Sequence, residues 1–212
     1  ECFNCNLQRL LPEKVSRDSL AKRFDNMQLS LSVRIAEEFL SKEKASMPLD
    51  ELADLAKRCG YGGLCMRASQ VGVHSAPEEV EGAAECLAAS GLAASMITGD
   101  FDTVYNNENG PNALRNITPY LRLAKRLGAP RIRVALKQES DIEYAKRAAD
   151  EAAEQDVQLV HQCHTLSLFE TVESIEQTLR AIDRPNFGLV YEPANLEICR
   201  QDYGGETIKR LA

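Results

Sequence analysis

From Leu29 onward, short runs of apolar and β-branched residues alternate with longer segments whose apolar positions recur every three or four residues, at a spacing of roughly 30 residues. The first run, residues 29–35, is followed by a helix-patterned stretch near Pro48 with Leu49, Leu52, Leu55 and Cys59 on one face and Gly60 as its stop. Residues 63–67 and 93–98 form the next two strand candidates. After them come a helix entered at Pro77 with Val80, Ala84 and Leu87 inward, and a single helix with Leu114, Ile117, Leu121 and Ala124 inward. A long polar loop over 100–110 precedes that second helix. Strands over 131–137, 157–164 and 187–192 complete the series. Their partners are an Ala-rich helix over 141–155, a helix with Val172, Ile175, Leu179 and Ile182 inward, and a last amphipathic piece over 206–212.

Strands separated by crossover helices imply a parallel sheet covered by helices, which leaves an open doubly wound sheet or a barrel. No Gly-x-Gly-x-x-Gly follows an early strand, so the open nucleotide-binding sheet lacks its phosphate loop. Polar residues instead recur just past the strand ends: Arg67, Thr98, Asp100, Lys137, His164 and Glu192. Such ends meet at the mouth of a (β/α)8 TIM barrel, where these enzymes carry their sites. The expected fold is therefore α/β, of TIM-barrel type, over residues 29–212, with residues 1–28 as an N-terminal extension. Six βα units are counted, against eight in a closed barrel, and the chain ends inside a helical pattern without a stop signal. The C-terminal units are thus expected to be missing.

Composition narrows the function classes. Among 212 residues, 44% are apolar and 27% charged, with no run long enough to cross a bilayer. No membrane partner is expected. The seven cysteines are scattered through predicted helices and strands, which favours a reducing, cytoplasmic setting over a disulfide framework. Cys2 and Cys5 have the spacing of half a metal or redox site, with no second half nearby in sequence. A net charge of −7 opposes the broad positive field that duplex nucleic acid needs, so no nucleic-acid partner is expected. Local arginines still leave room for an anionic metabolite.

The densest polar cluster is His161-Gln162-Cys163-His164, at the end of an apolar strand. Alternate strand residues share a face, so Gln162 and His164 point one way and His161 and Cys163 the other. A second cluster, Tyr191-Glu192-Pro193-Ala194-Asn195, again sits where a strand meets its loop. Imidazole, amide oxygen and carboxylate together suit a divalent cation such as Mn²⁺, Mg²⁺ or Zn²⁺. Each cluster also has a plain structural reading: a satisfied histidine in the helix layer, and a carboxylate favoured at a helix entry. Arg67 on a strand must find an anion, which a ligand or a structural salt bridge could supply. Lys137 ends its strand and suits acid/base work or anchoring of an anionic substrate. Arg133 lies nearer its strand start and is a weaker candidate, and His74 reads as an exposed loop residue.

The stretch from His161 to Thr171, together with Pro185-Asn186-Phe187-Gly188-Leu189-Val190-Tyr191-Glu192-Pro193-Ala194-Asn195-Leu196, resembles the corresponding pair of units in the sugar phosphate isomerase/epimerase, or xylose isomerase-like, barrel family. That family commonly has Leu-Glu-Asn-His on its fifth strand and Asp-Pro-x-Asn at its sixth. Gln162 stands at the position of the family's Glu, His164 matches its His, Glu192 replaces its Asp, and Asn195 matches its Asn. The resemblance implies a divalent metal on Gln162, His164 and Glu192, with Gln162 weakening the attraction. The family's remaining metal ligands come from its last two units.

The resemblance further implies an isomerase or epimerase of carbohydrate metabolism, acting on a sugar or sugar-derived small molecule by metal-assisted proton transfer beside a carbonyl. Glu192, His164 and Lys137 are the expected catalytic residues, and Arg67, His161 and Asn195 the expected substrate contacts. A homo-oligomer is compatible with this reading. Two alternatives stand beside it: a lyase or dehydratase of the same fold acting on a hydroxy-keto acid, and a ligand-binding barrel without catalysis. The endonuclease branch of the fold is disfavoured by the three histidines and the acidic charge.

Overall fold

The computed structural model describes residues 28–212, so Cys2, Cys5 and all but the last residue of the expected N-terminal extension lie outside it. Its strands are β1 (Ser30–Ser32), β2 (Gly63–Arg67), β3 (Ala93–Thr98), β4 (Arg131–Val134), β5 (Gln158–Gln162) and β6 (Phe187–Val190). They form one sheet in chain order, parallel throughout. The helices are α1 (Leu49–Arg58), α2 (Pro77–Ser90), α3 (Phe101–Tyr105), α4 (Asn112–Arg115), α5 (Thr118–Leu127), α6 (Asp141–Ala153), α7 (Val172–Ile182), α8 (Pro193–Ile198) and α9 (Gly205–Leu211). This is the alternation of a TIM barrel, six units of it, as the repeat pattern predicts.

The pleat sorts the side chains. Leu64, Met66, Ile97, Ile132, Val134 and Leu159 occupy one face of neighbouring strands and are buried beneath the helices. The register pairs Cys65 with Met96, Arg67 with Thr98, Arg133 with Val160 and Gln162 with Val190 on the opposite, inner face. Ala145, Ala148, Ala149 and Ala152 are all buried, and α6, which carries them, packs against β5. Gly91 and Gly128 end α2 and α5 in the left-handed conformation, at φ 65° and 68°, which lets the chain turn back into the next strand. Thr171 and Ser174 start α7 by capping each other's backbone N–H at 3.1 Å.

Several boundaries differ from the sequence expectation. The first strand stops at Ser32, whose hydroxyl accepts from the Arg34 N–H at 3.3 Å, and the chain enters a 3-10 turn, Val33–Ala36. Val33 and Ala36, three residues apart, are buried together by that turn. Strand β4 ends before Ala135 because the Lys137 and Gln138 N–H groups both donate to Asp141 Oδ2, at 2.9 and 3.1 Å. Strand β5 ends at Gln162, and the His164 N–H turns away to the Phe169 carbonyl at 3.0 Å.

The helix expected to carry Leu114 through Ala124 is broken into α4 and α5 at Asn116 and Ile117. Pro119 explains the break: it has no N–H, and its ring would clash with the carbonyl four residues earlier. The polar loop over 100–110 contains α3, capped by Asp100, whose carboxylate accepts from the Thr103 N–H. On α1 the buried face is Leu52, Ala53 and Ala56, while Leu55 is 36% exposed and Cys59 is exposed, so two alanines rather than Leu55 and Cys59 complete the packed side with Leu52. No helix among the described residues is long and apolar enough to cross a membrane.

Candidate active site

The C-terminal ends of the strands and the Val33–Ala36 turn surround a cavity of about 540 Å³. Gln162, His164, Glu192, Asn195, Arg67 and Thr98 all line it. So do Arg34, Lys42 and Arg133. The last residues of β5 and β6 set its floor: Gln162 pairs in register with Val190, and Glu192 follows two residues later as the residue preceding α8. Pro193 fits the first turn of α8, where its missing N–H costs no helical bond. Gln162 Nε2 donates to Glu192 Oε2 at 3.2 Å, which orients the carboxylate.

Asn106, the left-handed residue that ends α3, reaches His164 from the far side. Its Nδ2 lies 2.9 Å from His164 Nδ1 and 3.0 Å from the Thr165 carbonyl. An amide nitrogen only donates, so the Asn106 contact favours a proton on Nε2, whereas the Thr165 carbonyl, 3.1 Å from the same Nδ1, favours one on Nδ1; the contacts fit either tautomer. Burial pulls the His164 pKa below its ordinary value, and the Arg133, Lys137 and Lys42 charges lower it further. His164 is therefore a neutral imidazole at pH 7. Asn195 Nδ2 donates to the Cys163 carbonyl at 2.7 Å, tying α8 to the end of β5.

Arg67 has its anion within the protein. Its Nε donates to Glu37 Oε1 at 2.7 Å, Ser69 Oγ donates to the same oxygen at 3.0 Å, and both ends of the ion pair are almost fully buried. Arg133 has none among the described residues. It lines the cavity from the middle of β4, and its buried Nε has no hydrogen-bond partner among them. Burial, with the Arg67 and Arg34 charges adding to it, lowers its pKa to about 10, while Cys65 and Glu192 oppose that shift. Lys42 is likewise lowered, by burial and then by Arg34 and Arg67.

Two expected residues lie elsewhere. His161, expected to touch substrate, faces the helices and is buried, stacked on Phe169 with ring centroids 4.1 Å apart. Its Nδ1 lies 2.6 Å from the Gln162 carbonyl, and burial drives its pKa to about 3. Lys137, expected in catalysis, is outside the cavity lining; its Nζ donates to the Asn106 carbonyl at 2.7 Å and the Leu166 carbonyl at 2.9 Å, joining two loops. His74 is exposed against Phe101.

Sequence reasoning undervalued Arg133 and did not reach Arg34, Lys42 or Glu37. The signal for Arg133 lay in Arg131-Ile132-Arg133-Val134: with Ile132 and Val134 turned to the helices, Arg133 must face the barrel interior.

A divalent cation does not fit the described residues well. No group of three or more His, Cys, Asp or Glu side chains gathers among them in a metal-holding arrangement. Gln162 and Glu192 supply one negative charge between them, and the unneutralised Arg133 guanidinium shares their cavity. One carboxylate beside a like-charged guanidinium is a weak donor set for a dication.

No family model matches the chain, and no curated protein matches it in sequence. Solved structures do match. A probable 3-DHS dehydratase, AsbF, of Bacillus anthracis is 17% identical at a TM-score of 0.66, over 87% of this chain and 69% of its own. A xylose isomerase-like TIM barrel protein from Mycobacterium smegmatis, solved in complex with magnesium, is 16% identical at 0.63, over 76% of this chain and 62% of its own. A D-psicose 3-epimerase, solved in the presence of D-fructose, is 11% identical at 0.66, over 88% and 70%. At such identities the likeness speaks for the fold, and it agrees with the strand order and with the cavity at the strand ends: the chain has the xylose isomerase-like TIM-barrel fold.

Proposed function

We propose that the cavity is the active site of a sugar isomerase or epimerase in which the proton beside a carbonyl is moved by Glu192 and His164. The observation that carries this reading is the pairing of an oriented carboxylate with a neutral imidazole in one small cavity at the strand ends. Glu192, held by Gln162, is the base that takes the proton. With its proton on Nε2, the tautomer that the Asn106 contact favours, His164 donates to the carbonyl oxygen and stabilises the negative charge that develops there. Return of the proton to the former carbonyl carbon, with the hydroxyl proton passed between the two oxygens by way of His164, isomerises the substrate; epimerisation needs a second acid on the face opposite Glu192 to protonate the original carbon. Asn106 holds the imidazole at Nδ1, and Asn195 fixes the loop that carries Glu192.

The magnesium in one fold relative makes a divalent ion the natural rival for the role of electrophile. The donor set described above supports an imidazole and guanidinium electrophile instead, so no step here passes through a metal. A lyase acting on a hydroxy-keto acid is the second reading: it begins with the same abstraction, and the unneutralised Arg133 favours it because an acid substrate brings a carboxylate.

The test is turnover of a panel of keto-sugars and hydroxy-keto acids, followed by NMR, in the parent and in Glu192→Gln and His164→Asn. An isomerised or epimerised sugar made by the parent and reduced at least about 10²-fold in both variants supports the reading. An acid dehydrated in its place selects the lyase. Equal turnover in all three proteins would exclude both residues from the chemistry.

A further inference from the structure

Charge in this protein is unevenly distributed. The chain as a whole carries −7, yet its cavity is lined by Arg34, Lys42, Arg67 and Arg133 against few carboxylates. Arg67 is neutralised by Glu37, in contact at 2.7 Å with a second contact at 3.4 Å. Arg34, Lys42 and Arg133 form no ion pair among the described residues. Glu192 is the carboxylate that remains in the lining, and its bond from Gln162 occupies one of its oxygens.

Arg133 is the sharpest anomaly. A guanidinium is planar, permanently charged at neutral pH and has five N–H donors, so one set on the inner face of a sheet needs an acceptor. Its Nε is buried and has no partner among the described residues, although buried polar groups nearly always find one. Around it, Val160 stands beside it in register, Cys65 is a thiol with its pKa raised by burial, Arg67 is already committed to Glu37, and Glu192, whose charge reaches it, forms no ion pair with it among the described residues. Arg34, from the turn after β1, lies close enough to lower the pKa of both Lys42 and Arg133, and Arg133 lowers that of Lys42. Three like charges kept together against the single carboxylate of Glu192 are costly, and a bound anion lowers that cost.

We infer that the ligand of this cavity carries an oxyanion, a carboxylate or a phosphate, held at the base by the Arg133 guanidinium and flanked by Arg34 and Lys42. The fork of Arg133 matches either group in a two-point contact, while Arg34 and Lys42 add charge at the rim. A cavity of about 540 Å³ suits a small sugar acid or sugar phosphate in which the anionic group sits by Arg133 and the carbonyl lies toward Glu192 and His164. The substrate class thereby narrows from sugars in general to anionic sugar derivatives, and this last step rests on the proposed function. The anion site itself does not.

Isothermal titration at constant ionic strength, with inorganic phosphate, D-gluconate and uncharged D-glucitol as probes, tests the inference. The parent is expected to bind at least one of the two anions saturably, Arg133→Met to weaken that binding at least about tenfold, and Arg133→Lys to recover part of it. Tighter phosphate selects sugar phosphates, and tighter gluconate selects sugar acids. Arg126→Met, which removes a surface partner of Glu81 outside the cavity, should bind as the parent does. Should Arg133→Met fail to fold, Lys42→Met and Arg34→Met at the rim carry the test, each weakening the anion several-fold. Glu192→Gln separates this inference from the catalytic reading, because it should stop proton transfer while tightening the anion. A parent that binds neither anion, or variants at Arg133, Arg34 and Lys42 that bind as the parent does, would overturn the inference.

Discussion

Gln162 Nε2 donates to Glu192 Oε2 at 3.2 Å, across the boundary between β5 and β6. The contact joins a neutral donor to a carboxylate at the place where the related barrels, by the resemblance of their motifs, carry two acids. An amide there satisfies the carboxylate and lowers the demand for a cation.

Replacing Gln162 by Glu should reverse that balance. Two carboxylates at this separation repel each other, and a divalent ion relieves the repulsion. Gln162→Glu is expected to gain at least about tenfold in Mn²⁺ affinity over the parent, read by equilibrium dialysis with elemental analysis. An unchanged affinity would show that the amide is not what limits metal binding.

The Arg67–Glu37 pair should matter for stability. Both side chains are almost fully buried, so removing one strands the other as an uncompensated charge. Glu37→Ala is expected to destabilise the fold by roughly 3–5 kcal/mol, and the double variant Glu37→Leu, Arg67→Met by much less. Urea unfolding of the two variants checks the difference. Equal losses would mean that shape rather than charge is at stake.

His161 gives a pH signature unrelated to the cavity. Burial against Phe169 holds its folded pKa at about 3, against an ordinary 6.5. A depressed pKa means that the unfolded chain takes up the proton first. The stability conferred by keeping His161 neutral is therefore complete above about pH 6.5 and is lost progressively as pH falls toward 3. The slope contributed by this one group reaches at most about 1.4 kcal/mol per pH unit. His161→Leu should flatten the stability curve across that window. A curve of unchanged slope would place the acid sensitivity in other groups.

How far the sequence carries this account depends on the kind of signal. The pleat alone sets Gln162 and His164 on the face opposite His161 and Cys163, so the sheet and that division are legible before any coordinates, while which pair turns inward is decided by packing, with His161 buried against Phe169. Alternation also exposes Arg133, but strand position made it look remote, because a long side chain reaches a mouth that its Cα does not. Arg34 was hidden by a strand that becomes a 3-10 turn at Ser32, a choice made by one hydroxyl cap. The Arg67–Glu37 and Asn106–His164 contacts join residues 30 and 58 positions apart, through loops whose course no local pattern encodes. Pro119 was visible all along, and the apolar period of the surrounding helix masked the break it imposes.

The central claim is that Glu192 and His164 move a proton beside a carbonyl in this cavity. Deuterium incorporation from D₂O into sugar acids, sugar phosphates and their keto forms, followed by proton NMR, reads that step even where no net product forms. The account predicts exchange at the carbon beside the carbonyl in the parent, its loss in Glu192→Gln, and at least about a 10²-fold slowing in His164→Asn. Exchange in both variants at the parent's rate, or exchange in none of these compounds, would contradict it.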